Sequence, residues 1–401
     1  MSTLTLSESG APVSPAVSPT AQAVTGVEAL LIVGTLRTGT SLALVDAALK
    51  RGLTVTIITA PDDVARDIFP SEVRIVPLEP DAPTVLAWIE THCTLDGLRI
   101  TTTNERYARL AAHLATTLDL AGPDEALVSR YIEKSNQKQL FSDAGVDTPP
   151  AQRWRVGTFK EHVRLSGTDL QFPLVIKPVE GLSSYGVALC SNLAELEQTL
   201  VAQSSGTSDA QAILVEQYIA GPEYCVEFFD GQYVGAMLKR KAKGNQFIER
   251  GYSSDLDLDD SVLATLISAC KRAVQASGLI WGPVHIDCIV SGGKPHLVEV
   301  NARIAGSFIC TIVRDAYGFD IVGALLDKLD GKPVQVPDTF RPHRYACVEF
   351  FLDDDPPLWN FTQGGRVHSD WLTISYGPQV IPARERRAFL YTTNHPPSRH
   401  S

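Results

Sequence analysis

The sequence contains no CxxC pair, no HExxH among its nine histidines, no GxSxG and no GxGxxG. Those absences exclude a close-set zinc or disulfide framework, a zinc peptidase, a nucleophile-elbow hydrolase and the usual dinucleotide-binding turn. No apolar run approaches the roughly 20 residues that a membrane-spanning helix needs. The first 25 residues lack Lys and Arg, so neither a secretory signal nor a transit peptide is legible, and 1–25 reads as a mobile tail. Basic residues are scarce overall, 35 against 46 acidic ones, giving a net charge of −11. That balance repels nucleic acid and anionic membranes, so neither is an expected partner, and any phosphate must be held by local features. Seven cysteines (Cys93, Cys190, Cys225, Cys270, Cys288, Cys310 and Cys347) are odd in number and far apart. Such a set fits buried free thiols in a reducing, cytoplasmic setting.

What is present is a globular composition, 44% hydrophobic and 20% charged. At 401 residues the chain exceeds one hydrophobic core, so two or three packed units are expected. From Ala29 the pattern alternates: strands over 29–33, 53–58 and 73–76, helices over 41–51 and 84–92. This is the rhythm of a parallel sheet covered by helices. A single helix is expected over Arg130–Ala144, with Pro149-Pro150 as a domain joint. Beyond it strands dominate, at 174–176, 187–190, 213–217, 224–229, 233–239, 284–290, 296–301 and 345–351, with helices over 261–277 and 321–329. Ser291-Gly292-Gly293-Lys294 joins two of these strands as a hairpin.

Four segments carry chemistry. Gly34 to Ser41 has phosphate-loop spacing, but Thr40 stands where the lysine belongs, so it reads first as a tight strand-to-helix turn. In Phe172 to Val187, Lys177 ends an apolar strand, and Gly181, Ser183, Ser184 and Gly186 form a small-residue loop through which backbone N–H groups can approach phosphate oxygens. In Leu214 to Glu227, Glu216 and Glu223 flank the Gly221-Pro222 link, as carboxylate acceptors at the lip of an apolar slot. In the hairpin, His285 and Asp287 share one strand face, Glu299 and Asn301 share a face of the partner strand, and Arg303 follows. Hard oxygen ligands of this kind suit Mg²⁺, and the guanidinium suits a developing oxyanion or phosphoryl charge. The alternative for each is structural: a solvated hairpin lysine, an acidic strand end, a salt-bridge cluster. The last is the weakest alternative, because burying several polar groups costs about 1–3 kcal/mol each unless they are satisfied.

In this order, the last three segments resemble the ATP-grasp superfamily of carboxylate–amine ligases over about Arg130 to Gly306. The resemblance implies an ATP-grasp fold of α/β and α+β class: an N-terminal parallel α/β domain (26–125), a central nucleotide-binding domain of two α+β subdomains (126–330) and a C-terminal lid extension (331–401). It implies that Lys134 and Lys177, with Ser183 and Ser184, bind nucleotide phosphates, and that Glu216, Gln217, Ile219 and Glu223 meet adenine and ribose. Asp287, Glu299 and Asn301 resemble the ligands of Mg²⁺, or of Mn²⁺ in its place, and Arg303 with His285 the catalytic pair. Asn301 to Gly306, Arg344 to Leu352 and Gly364 to Val367 look most like the dipeptide-forming L-amino-acid ligases. The chain departs from that pattern at Ser183, usually glycine, and at Tyr252, more often histidine, and its C-terminal extension is short.

The implied activity is ATP-dependent joining of an L-amino acid to a second amino acid or amine through an acyl phosphate, in a cytoplasmic enzyme that acts on small molecules and can form a homodimer. Lys239 to Tyr252 reads as a loop that closes over the site. Two other readings stay open: an ATP-grasp carboxylase or formate-using enzyme on a phosphorylated metabolite, for which only the Gly34 turn and Arg37 offer a phosphate site, and a nucleotide sensor without turnover.

Overall fold

The computed structural model describes residues 28–36, 38–61, 68–155, 171–179, 186–204, 212–242, 245–352, 366–369 and 386–393. The N-terminal unit runs β1 (Ala29–Val33), α1 (Gly39–Lys50), β2 (Thr54–Thr59), β3 (Arg74–Pro77), α2 (Ala82–His92), β4 (Leu98–Thr101) and α3 (Ala108–Thr117). Its strands form a parallel sheet in the order β3-β2-β1-β4. The unbroken apolar run of β1 follows from burial on both faces. Leu30 and Ile32 pack with Leu44, Val45 and Ala48 of α1, while Leu31 and Val33 pack with Val85, Ile89, Ala111 and Leu114 of α2 and α3. The chain reverses its direction of travel across the sheet between β1 and β4, the place where open parallel sheets form a ligand crevice.

The expected single helix is two. α4 (Glu125–Tyr131) stops, and α5 (Lys134–Asp143) starts afresh after Glu133, whose backbone is extended. The reason is tertiary: the Lys134 amide donates to Val179 O at 3.0 Å, which ties the break to the end of a distant strand. A four-stranded antiparallel sheet follows, ordered β5-β8-β6-β7, from β5 (Ala151–Arg155), β6 (Leu174–Pro178), β7 (Ala188–Cys190) and β8 (Ala212–Gln217). Trp154, Leu174, Ile176, Ile213 and Val215 make its core with Leu196 and Leu200 of α6 (Leu193–Ser204).

The larger sheet has eight strands in the order β13-β12-β9-β10-β11-β14-β16-β15. They are β9 (Glu223–Phe229), β10 (Gln232–Ala242), β11 (Asn245–Ser253), β12 (Pro283–Ser291), β13 (Lys294–Asn301), β14 (Ala346–Leu352), β15 (Arg366–Ser369) and β16 (Arg386–Thr393). Lys239 to Tyr252, expected as a closing loop, is therefore mostly the paired strands β10 and β11, with positions 243 and 244 outside the described residues. One face of this sheet packs on α5 and α7 (Asp260–Ser277) through Val226, Phe228, Val284, Ile286, Leu297 and Val300. The other packs on α8 (Ile309–Tyr317) and α9 (Ile321–Leu329), in a core shared with α1. Gly292 (φ 56°) and Gly293 (φ 78°) form the tight β12–β13 turn that a left-handed pair permits.

Candidate active site

Alternation along β9, β12 and β13 decides which side chains reach the cleft. Even-numbered residues of β9 and β12 enter the α7 core, which leaves Glu223, Cys225 and Glu227 on β9, and His285 and Asp287 on β12, facing the other way. In the β13 pairing, Asn301 lies opposite His285 and Glu299 opposite Asp287, and the register shifts before Leu297 meets Cys288. That bulge lets Leu297 and Val300, three apart, both pack in the core while Glu299 and Asn301 stay in the cleft.

On this face His285 is clamped, with Nδ1 2.6 Å from Glu227 Oε1 and Nε2 3.3 Å from Asp287 Oδ1. Burial would strip its proton, but the two carboxylates prevail and push the imidazolium up to about 10. Asp287 Oδ1 also lies 2.6 Å from Lys239 Nζ, which in turn is 2.7 Å from Glu223 Oε1. Burial works to raise the Asp287 carboxyl, yet Lys239 and His285 hold it well below the usual carboxylate range. The same two acids keep the buried Lys239 firmly protonated against desolvation. Lys241 meets Glu223 Oε2 at 2.8 Å and Glu249 Oε1 at 3.5 Å.

The opposite wall is richer in cations. Glu216 is buried between two lysines: Lys177 Nζ is 2.9 Å from Oε2, and Lys138 Nζ is 2.7 Å from Oε1. Lys138 also reaches Thr148 Oγ1 at 2.9 Å. Its complete burial outweighs Glu216, and it falls to about 8, pushed further down by Lys177. Lys134, at the start of α5, pairs with Glu299 at 2.9 Å and has Glu105 at 4.0 Å. Arg303 Nη2 meets Glu105 Oε2 at 2.5 Å and Nη1 donates to Ile304 O at 3.1 Å, while its buried Nε has no hydrogen-bond partner. Burial raises the Glu105 carboxyl in spite of Arg303 and Lys134.

Glu105 arrives from the N-terminal sheet, just past the carboxyl end of β4, where Asn104 caps a short turn by accepting from Arg106 N. The Gly34 turn at the end of β1 supports it from below. A Cβ on Gly34, at φ 65°, would sit 2.0 Å from the Tyr107 ring. Ser41 and Thr35 spend their hydroxyls on Thr103, at 2.8 and 3.1 Å. The turn is thus filled by protein groups, which weighs against a phosphate there. Arg37 lies outside the described residues.

Gln217 and half-buried Ile219 lie at the link from β8 to β9, where Gln217 Oε1 accepts from Gln171 N at 3.0 Å. Gly221 is needed in that link because a Cβ would come 2.2 Å from Val290 O. Ser183 and Ser184 fall outside the described residues. Sequence reasoning missed Glu105, Lys138, Glu227, Lys239 and Lys241. Four of these carried a signal: Lys138 is one helical turn from Lys134, Glu227 continues the Glu223 face, and Lys239 with Lys241 alternate on one strand. Asp287 and Glu299 with Asn301 offer hard oxygen donors, and Asp287 Oδ1, though close to Lys239, accepts no aligned hydrogen bond. Among the described residues no group of three or more His, Cys, Asp or Glu is placed to hold a metal alone. Two carboxylates and an amide, completed by phosphate oxygens and water, fit Mg²⁺ better than an all-protein cage would.

Where the two antiparallel sheets meet, buried lysines and metal-type carboxylates thus stand within ion-pair reach of one another, an arrangement suited to a nucleotide and its metal. Residues 170–311 match the ATP-grasp domain family, and the chain has the ATP-grasp fold. It is similar to an L-amino acid ligase from Bacillus licheniformis, with a TM-score of 0.74 at 23% identity, covering 92% of this chain and 94% of that one. It is 28% identical to the uncharacterized protein y4rH of Sinorhizobium fredii, over 77% of this chain and 65% of that protein. To the alanine–anticapsin ligase of Bacillus subtilis it is 25% identical, over 60% and 55% respectively. The matches thus span about half to two thirds of those two relatives. Among the described residues no helix is long and apolar enough to cross a membrane, and all seven cysteines are free.

Proposed function

We infer that this protein is an ATP-dependent carboxylate–amine ligase that joins an L-amino acid to a second amino acid or amine, releasing ADP and phosphate. The observation that carries the reading is the concentration of buried, paired charge in one cleft: Glu216 is flanked by Lys138 and Lys177, Lys134 holds Glu299, and Glu299 lies opposite Asp287 in the hairpin that leads to Arg303. The relatives named for ligation of amino acids support the same substrate class. In this reading 26–125 is the substrate-side domain, 126–330 grasps the nucleotide and 331–401 is the lid extension.

A carboxylate oxygen of one substrate attacks the γ-phosphorus of ATP, and ADP leaves. The amine nitrogen of the second substrate then attacks the acyl carbon, and phosphate departs from the tetrahedral intermediate. Positioning and charge stabilisation do this work, without a covalent nucleophile on the protein. Lys134 and Lys177 exchange their carboxylate partners for phosphate oxygens, and Glu216 stays oriented by Lys138 toward the adenine amino group. Arg303, with Nε unspent, stabilises the acyl phosphate and the oxyanion. Mg²⁺ or Mn²⁺, held by Asp287, Glu299 and Asn301, would neutralise phosphate charge. Glu105, with its raised carboxyl, receives the ammonium of a substrate beside Arg303. Phosphate release from Mg-ATP against single amino acids and pairs tests the reading. Release that needs a pair, with a product lighter than their sum by one water, is the expected result; release that needs no amine acceptor would sink it.

A further inference from the structure

Lys239 has no role in the reaction just outlined, yet its surroundings single it out. It stands on β10 opposite Glu223 of β9, and the residue next to Glu223 on that face is Cys225, which lies opposite both Met237 and Asp287. The small thiol side chain leaves the Lys239 stem a diagonal path to Asp287. Its ammonium therefore sits between a carboxylate assigned to ribose, at 2.7 Å, and a carboxylate assigned to the metal, at 2.6 Å. The Lys239 side chain is only 6% exposed, so water offers it little compensation if both partners are lost.

We propose that Lys239 couples metal binding to nucleotide binding. Its ammonium lies 2.6 Å from Asp287 Oδ1, and a bare divalent cation binding that carboxylate must displace it while adding two positive charges beside it. A metal that arrives with a nucleoside di- or triphosphate brings its own negative charge. Lys239 can then release Asp287 and remain paired through Glu223, so it never stands as an unpaired buried cation. The metal carboxylates are thereby closed to free divalent ions and open to the metal–nucleotide complex. This rests on the assignment of Asp287 and Glu299 to the metal and of Glu223 to the nucleotide.

The test is Mn²⁺ titration of the full chain, read by electron paramagnetic resonance of free Mn²⁺, with and without ADP. Wild type should bind Mn²⁺ weakly alone and much more tightly with ADP. Lys239→Met should bind Mn²⁺ alone about tenfold more tightly than wild type or better, and lose a matching factor of the ADP dependence. Lys241→Met, which removes a Glu223 partner but no Asp287 partner, should tighten Mn²⁺ binding in the absence of ADP far less than Lys239→Met does. Lys239→Met that binds Mn²⁺ alone no better than wild type overturns the coupling. Should that variant not fold, Glu223→Gln decides: it commits Lys239 to Asp287 and should weaken Mn²⁺ binding without ADP, so unchanged or tighter binding overturns the proposal. Failure of wild type to bind Mn²⁺ even with ADP would instead remove the nucleotide reading on which it rests.

Discussion

Replacing Glu299 by alanine removes the carboxylate 2.9 Å from Lys134 Nζ, while Glu105 stands farther off, at 4.0 Å. Stripping one partner from a buried ion pair costs about 3–5 kcal/mol, because the survivor stays buried and uncompensated. Part of that is returned. Glu299 is repelled by Asp287 and by Glu105, and Glu105 keeps a weaker hold on Lys134. The net loss should be about 2–3 kcal/mol for alanine, and about 1–2 kcal/mol for glutamine, which keeps an acceptor oxygen. Urea unfolding followed by fluorescence measures both. On the proposed assignment of Glu299 to the metal and of Lys134 to phosphate, phosphate release should fall at least about 100-fold in either variant. A Glu299→Ala protein that unfolds at the wild-type midpoint, or turns over at the wild-type rate, would refute the pairing and the metal assignment respectively.

Three further outcomes follow from the same geometry. Lys138 is held near 8 against an ordinary 10.5, so the folded state binds fewer protons there than the unfolded chain; its penalty is complete below about pH 8 and vanishes above 10.5. Wild type should therefore gain up to about 3 kcal/mol relative to Lys138→Met as pH rises through that window, and parallel urea midpoints across it would contradict the burial argument. Gly34→Ala forces a Cβ into the Tyr107 ring at a left-handed backbone position and should cost about 1–3 kcal/mol, with reduced turnover as Glu105 shifts; thermal melts and phosphate release report the two effects. Arg303→Lys keeps the charge but loses the two-pronged contact with Glu105 and Ile304 O, and should lower turnover about 100-fold while ADP binding persists in calorimetry.

Much of the architecture was legible because local pattern and tertiary burial agree. The run Ala29–Val33 is apolar on both faces and buried on both, and the Gly292-Gly293 turn fixes the hairpin that carries His285, Asp287, Glu299 and Asn301. The misses have tertiary causes. Residues 132 and 133 look helical, but the bond from Lys134 N to Val179 O pulls the chain out of the helix, and no local signal announces it. Lys239 to Tyr252 is rich in Lys, Arg and Gly and reads as a loop, yet its charges are neutralised across strands by Glu223, Asp287 and Glu349, so it pairs as sheet. Glu105 could be recognised only once β4 was known to end beside Arg303, a contact between residues 198 apart.

The central claim is that a carboxylate is activated by phosphorylation. It is tested most directly by the fate of oxygen in a substrate carboxylate labelled with ¹⁸O, with ATP and an amine acceptor present. The account predicts one labelled oxygen in the released phosphate and the other in the new amide. Label retained wholly in the carboxylate, or transferred to AMP, would contradict it.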